Sequence, residues 1–385
     1  MASNTPWKDE RWLPGVLNKE QMIALMEAHL LLNVDREKTI DNDASALDLH
    51  LSGDAYYMKQ GSIKPFNKSY HEIINDSVYA EKLNKNEDTF LLEKEKCYIF
   101  KIKEALHPCI KASPIFGQAT AKSTVGRIDV IARLIVDGMK EYEKFNPSEV
   151  VSGEMFLEIT PINFNVKVKE GISISQLRFF YGEIEHSIIN DRAFINSILN
   201  LRDDIPNDGT LSVDISNTIF HQSNNDVAAA FRGKEQITAP IELWGKDNYN
   251  PEDFWDIEKS TEINNLKSIV IERNKFYILR SRERISLPPG VCIYCRAMDE
   301  TLGEMRIHYA GFVHPYFGLN RKDQKKGTPL IFEVRGHNVN VLLTQSEILA
   351  RLYFYRMSMP ATEGAANYNE QELNLSKFFK GWGKE

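Results

Sequence analysis

The segment Ala121-Lys-Ser-Thr-Val-Gly-Arg127 places two cations, two hydroxyls and a glycine within seven residues. Between two β-rich runs, that composition suits a turn in which backbone N–H groups, Ser123, Thr124, Lys122 and Arg127 converge on phosphate oxygens, with Val125 and Gly126 completing the bend. It is not a Walker loop, because Gly117 to Lys122 is one residue too short and a strand, not a helix, is expected next. Lys-Ser-Thr turns are also common on plain surfaces, so both readings stand.

Two glutamates sit in similar apolar runs, Glu158 in Met155-Phe-Leu-Glu-Ile159 and Glu333 in Leu330-Ile-Phe-Glu-Val334. A carboxylate buried in such a run must pair with a cation or take a raised pKa suited to proton transfer. Simple alternation, with the glutamate on a wet face, is the other reading. His308-Tyr-Ala-Gly-Phe-Val-His314 combines imidazoles, aromatics and small residues, which fits a flat ligand approached closely by backbone and equally fits core packing. Cys292 and Cys295 have zinc-like spacing, but a strand points them to opposite faces and no second pair completes four ligands. Buried structural thiols are expected there. A zinc nucleobase deaminase would need His-x-Glu and Pro-Cys-x-x-Cys elements, and neither occurs.

The elements that carry these residues are mostly strands. Asn18 is a plausible cap for an amphipathic helix reaching about Leu32, with Met22, Ile23, Leu25, Met26, Ala28, Leu30 and Leu31 on its apolar side. After Leu47 come short β-rich runs at Cys97–Lys101, Ile128–Val136, Met155–Thr160, Phe164–Val168 and Ser175–Tyr181, separated by turn residues. The second half repeats the first in order. Lys96-Cys-Tyr-Ile-Phe-Lys-Ile-Lys-Glu104 returns as Lys275-Phe-Tyr-Ile-Leu-Arg-Ser-Arg-Glu283, and Phe156–Ile159 as Phe332–Val334. Asn165–Val168 returns as Asn338–Val341, and Gln176–Phe180 as Arg351–Tyr355. Four matches in one order indicate a duplicated β-domain. The expected organisation is a first copy with its helix over 1–191, a linker over 192–207, a second copy over 208–358 and a C-terminal arm over 359–385. The arm's aromatics leave two readings, a frayed terminus or a segment docked on something.

The 385 residues are 42% hydrophobic and 26% charged, a composition that excludes disordered and disulfide-framework classes and allows two or three compact units. With 54 acidic against 47 basic residues, no overall field draws the chain to nucleic acid or anionic lipid, so neither is an expected partner. No apolar run approaches a membrane span, the N-terminus lacks a signal-sequence pattern, and four cysteines fit a reducing compartment. A cytoplasmic location is expected.

Taken together, these motifs resemble the dCTP deaminase branch of the dUTPase superfamily, in its long bacterial form with two copies of the fold. Ala44–Gly53 is similar to the family's opening strand, Ala121–Asp129 to its Ser-Ser-x-x-Arg phosphate motif and Phe156–Ile159 to its Leu-Glu strand. Phe276–Glu283, Gly303–Phe312 and Asn367–Gln371 with Leu375–Lys377 look like the long form. The resemblance implies a mainly β fold, tandem distorted β-barrels or jelly rolls with an N-terminal helix. It also implies hydrolytic deamination of dCTP to dUTP and ammonia without a catalytic metal, hence no catalytic zinc, and with Mg2+ carried on the triphosphate.

In single-copy relatives of this type one subunit holds phosphates while its neighbour supplies a hairpin, the catalytic glutamate and a C-terminal arm. Mapped onto two copies, this gives a composite site. Copy one would contribute Lys122, Ser123, Thr124, Val125, Gly126 and Arg127; copy two His308, Tyr309, Ala310, Gly311, Phe332, Glu333, Gln371 and Lys377. Glu333 is the first choice for the catalytic carboxylate and Glu158 the second, with Ser123 and Arg127 holding developing charge. Thr124 replaces a second serine of the motif, His314 replaces an acidic residue before proline, and Asn146 stands near its equivalent place in copy one. The runner-up activity is dUTP diphosphatase, alone or combined with deamination, for which Asp137 is near but out of register. A non-catalytic nucleotide-binding regulator is the third reading. A homo-oligomer, such as a trimer, and a pseudo-symmetric monomer both fit the duplication.

Overall fold

The computed structural model describes residues 5–39, 45–64, 68–200, 208–221, 226–297, 305–308, 311–319, 327–362 and 372–383. Alternating burial along β-branched and aromatic runs dictates the principal strands. In the first half they are β1 (Leu47–Met58), β2 (Thr89–Leu92), β3 (Tyr98–Ile102), β4 (Ile115–Ala121), β5 (Val130–Val136), β6 (Lys144–Phe145), β7 (Met155–Pro161), β8 (Val166–Lys169) and β9 (Ser173–Tyr181). In the second half they are β10 (Thr210–Asp214), β11 (Leu266–Ile271), β12 (Phe276–Ile285), β13 (Val291–Ala297), β14 (Met305–His308), β15 (Gly311–Val313), β16 (Thr328–Gly336), β17 (Val341–Thr344) and β18 (Ile348–Arg356).

Each strand of the first half has its counterpart nine numbers later. The first sheet runs β6-β4-β9-β1-β3-β7-β5, and the second runs β15-β13-β18-β10-β12-β16-β14 in the same pairing order. The side ladder β2-β8 returns as β11-β17. A buried glutamate marks the repeat at matching places. Glu104 accepts the backbone N–H of His50 at 2.8 Å, and Glu283 accepts that of Ser212 at 2.7 Å. The expected duplicated, mainly β architecture with two barrel-like sheets is present.

The halves meet at several places. Phe180 on β9 and Tyr355 on β18, matching residues of the repeat, meet edge to face at 5.4 Å, as expected close to a twofold relation. Gly15 passes between the halves where a side chain has no room, since a Cβ there would lie 2.6 Å from the Arg356 carbonyl oxygen. The short strand Ile241–Glu242 of the second half adds in parallel to β8 of the first, so one ladder crosses the boundary.

Several expectations are corrected. The N-terminal helix α1 (Lys19–Glu27) has the Asn18 cap with a full capping box, but it stops well before Leu32. His29 takes a left-handed φ of 56° and Leu31–Leu32 leave as a strand, so the later apolar residues serve a different element. β5 starts at Val130, not Ile128, because Asp129 also has a left-handed backbone. The stretch expected as a linker is structured over residues 192–200, where helix Arg192–Ile198 buries Ile195 and Ile198 in the second core. Residues 201–207 lie outside the described set. Among the described residues no helix is long and apolar enough to cross a membrane.

Candidate active site

The turn from Lys122 to Asp129 connects β4 to β5 and includes one helical turn, α2 (Ser123–Gly126). Val125 anchors it. Its side chain is buried in the first core and its N–H donates to the Lys122 carbonyl at 2.9 Å. The apolar side chain turns inward while Ser123 remains exposed and Thr124 partly so. Arg127 is buried and donates from Nη1 to the Leu375 carbonyl at 3.3 Å. Lys122 pairs with Asp48 of β1 at 2.5 Å.

Glu333 comes to this turn from the other half. A Cβ built on Gly126 would lie 2.9 Å from Glu333 Oε2 and 3.0 Å from its carboxyl carbon, so a side chain at 126 would have to displace that carboxyl. Gly126 of the first half and the Glu333 carboxyl of the second therefore lie side by side within one chain. Burial is the largest influence on Glu333 and pushes its pKa up to about 8, against the pull of Arg127 and with the help of Asp129. On β16, Glu333 lies opposite Ile278 on one side and His308 on the other. Phe332, one residue earlier, faces the opposite way into the second core, as the period-two alternation of the strand requires.

The hairpin is partly described. His308 ends β14, Gly311 begins β15, and a Cβ at Gly311 would meet nothing within 4 Å among the described residues. Tyr309, Ala310 and Gln371 lie outside the described residues. Phe312 receives the buried guanidinium of Arg178 from β9 at 3.9 Å from its ring centre. His314 is held by Ser45 across the boundary, Nδ1 to Oγ 3.0 Å, and burial with Arg178 and Lys122 nearby holds it neutral, well below the ordinary imidazole range. Cys292 packs between the halves and Cys295 in the second core, on opposite faces of β13 as the strand reading requires.

The C-terminal arm is docked. Ser376 Oγ donates to the Thr124 carbonyl at 2.7 Å, which lays the arm across the turn. Farther out, Phe379 packs against Trp255 at 5.8 Å and Trp382 stacks on Phe231 at 5.1 Å. Lys377 is exposed at the mouth, its pKa lowered by partial burial and by the cations Lys122 and Lys246. Lys246 and Asp48 are residues that motif reading missed, since each stands alone in its own segment. Arg178 had a usable signal: a cation inside the apolar run of β9.

Glu158 occupies the place in β7 that Glu333 occupies in β16, opposite Ile99 and Arg133. Its surroundings differ. Its Oε2 accepts hydroxyls from Ser62 at 2.7 Å and Tyr142 at 3.0 Å, both from its own half, and the guanidinium of Arg133 lies over the Tyr142 ring. Asp137 is likewise engaged structurally, accepting the N–H of Tyr70 at 2.7 Å and the hydroxyl of Ser152 at 2.9 Å. Asn146 caps a short 3-10 turn through Ser148.

Known proteins resemble this chain in sequence and in fold. The model of the 2'-deoxycytidine 5'-triphosphate deaminase N-terminal domain matches residues 13–183, and that of the C-terminal domain matches residues 189–379. The chain belongs to the dCTP deaminase family. Among solved structures, the crystal structure of 2'-deoxycytidine 5'-triphosphate deaminase from Agrobacterium tumefaciens is similar, with a TM-score of 0.74 and 26% sequence identity. The match covers 90% of this chain and 99% of that one. No curated protein sequence matches. The two matched domains, together with the coverage of that structure, account for most of the chain's length.

Proposed function

We propose that the chain hydrolyses dCTP to dUTP and ammonia at one composite site, with the first half holding the triphosphate and the second half performing the chemistry. The observation that carries this reading is the Glu333 carboxyl set against Gly126 of the cationic turn. Lys122, Ser123, Thr124 and Arg127 bind phosphate oxygens, with Lys377 and Lys246 adding positive charge at the mouth. The turn offers hydroxyls and cations, so Mg2+ fits as a companion of the triphosphate, and the proton transfers need only the protein's own acid.

Burial gives the order of events. With a pKa near 8, Glu333 enters neutral solution mostly protonated. It gives its proton to cytosine N3, which makes C4 electrophilic. The carboxylate so formed, facing Arg127, takes a proton from the water that attacks C4. It then passes that proton to the amino group, ammonia leaves as the C4–N bond breaks, and the new hydroxyl returns a proton to Glu333 as the C4 carbonyl forms. Ser123 and Arg127 offset charge as it develops.

Glu158 fits a structural role because Ser62 and Tyr142 already occupy its carboxylate. Ammonia release measured across dCTP, CTP, dCMP and dUTP, with Glu333→Gln and Glu158→Gln in parallel, tests the reading. Glu333→Gln should bind dCTP and release almost no ammonia; near-normal turnover would remove Glu333 from this role. Pyrophosphate from dUTP would add the diphosphatase activity, and ammonia from no nucleotide would leave a binding protein.

A further inference from the structure

We propose that Asp129 and Arg335 form a positioning latch, one residue from each half, that sets the Glu333 carboxyl against the phosphate turn. The proposal rests on the reading of Glu333 as the reacting acid. Asp129 follows the turn directly and is fully buried. Its N–H donates to the Gly126 carbonyl at 2.9 Å, and its carbonyl accepts from Ile162 at 2.9 Å, so the turn is tied down on both sides. Its Oδ2 receives Arg335 Nε at 3.0 Å and also Nη2, a two-pronged grip. Arg335 lies two residues beyond Glu333 on β16 and therefore on the same face. The guanidinium is itself fixed by the Asn274 carbonyl and by Asn163 Oδ1 at 3.4 Å.

The backbone at 129 is left-handed, φ 57°, a conformation that aspartate adopts more readily than most L-residues. Its carboxylate is directed to the arginine beside the reacting acid. Such a pair fixes the distance between two elements of different halves, and removing one partner leaves a buried charge unopposed.

Among the groups whose side chains are described, Arg127 and Asp129 of the turn act electrostatically on Glu333, Arg335 lies on its own strand, and Glu333 in turn acts on Cys295 of β13; His308 pairs with Glu333 across the ladder by backbone. The Cys295 thiol is pushed up to about 12 by burial and by Glu333, so it stays neutral through the working range. Asp129 opposes ionisation of Glu333 and Arg335 compensates Asp129. The two single variants must therefore move the pH dependence in opposite directions.

The test compares pH profiles of kcat and KM for dCTP in the full-length wild-type protein, D129N, R335Q and the double variant, with E333Q alongside. D129N should shift the midpoint to lower pH and R335Q to higher pH, each by about half a unit or more. Each should lose about tenfold in kcat with KM changed less than about threefold, since the acid is misplaced while phosphate binding survives. The double variant should lose no more than the worse single one. Unmoved midpoints, shifts in the same direction, or additive losses would overturn the latch. If a single variant does not fold, R335K, which keeps the charge and gives up the fork, decides: kcat should fall with the midpoint unmoved, and wild-type kcat would sink the proposal. An active E333Q would instead count against the underlying reading of the site.

Discussion

Gly126 and Glu333 belong to different halves of a duplicated chain, yet a methyl group on the first would press against the carboxyl of the second at 2.9 Å. The turn and the acid are therefore fitted to one another.

Replacing that hydrogen by a branched side chain should displace the acid without touching it chemically. Gly126→Val is expected to lower kcat for dCTP deamination about a hundredfold while the far-ultraviolet circular dichroism stays unchanged. Undiminished turnover would show that the carboxyl does not need its observed place.

The protonated resting state of Glu333 predicts a falling limb. The kcat/KM for dCTP should decline above about pH 8, where the proton needed by N3 is lost. A rate that climbs through this range would mean that the carboxylate is the active form.

Burying this acid also has a thermodynamic sign. Its folded pKa is raised, so the native state holds the proton more tightly than the unfolded chain, and stability falls as pH rises from about 4.5 to about 8. Glu333→Gln should therefore melt higher than the parent at pH 8, by roughly a few kcal/mol, with the gap closing towards pH 5. Equal melting curves at pH 8 would show that the acid is not held as described.

Glu158 should respond the other way. Glu158→Ala strands the Ser62 and Tyr142 hydroxyls and should destabilise the protein by about 1–3 kcal/mol in urea titration. Ammonia release by the folded fraction should stay within about twofold of the parent, because this carboxylate serves only packing and hydrogen bonding within its own half.

The arm gives a prediction about affinity. Trp382→Ala removes a stack on Phe231, well away from the turn, and should loosen the segment that brings Ser376 to Thr124. KM for dCTP should rise about tenfold, the loss of one partly buried aromatic anchor, with kcat changed less. Unaltered KM would make the anchor irrelevant to binding.

Much of this was legible in the sequence because repetition is a one-dimensional signal. Lys96–Glu104 and Lys275–Glu283 align by eye, and the strands they encode share pairing order and buried glutamates. The turn at Lys122–Arg127 was legible for its composition. The burial of Phe332 in the second core was not legible, because a run quoted as a motif hides the alternation that sends neighbours to opposite faces. The Asp129–Arg335 pair and the contribution of Lys246 were not legible at all. They join segments far apart in the chain, and nothing local to either partner announces the other.

The strand Ile241–Glu242, borrowed by β8 of the opposite half, has a consequence for how the molecule comes apart. Two gene fragments cut at the join would each carry an unfinished ladder, inviting the wrong neighbour. The whole chain should instead melt as a single calorimetric event, so that the enzyme loses both its barrels at one temperature.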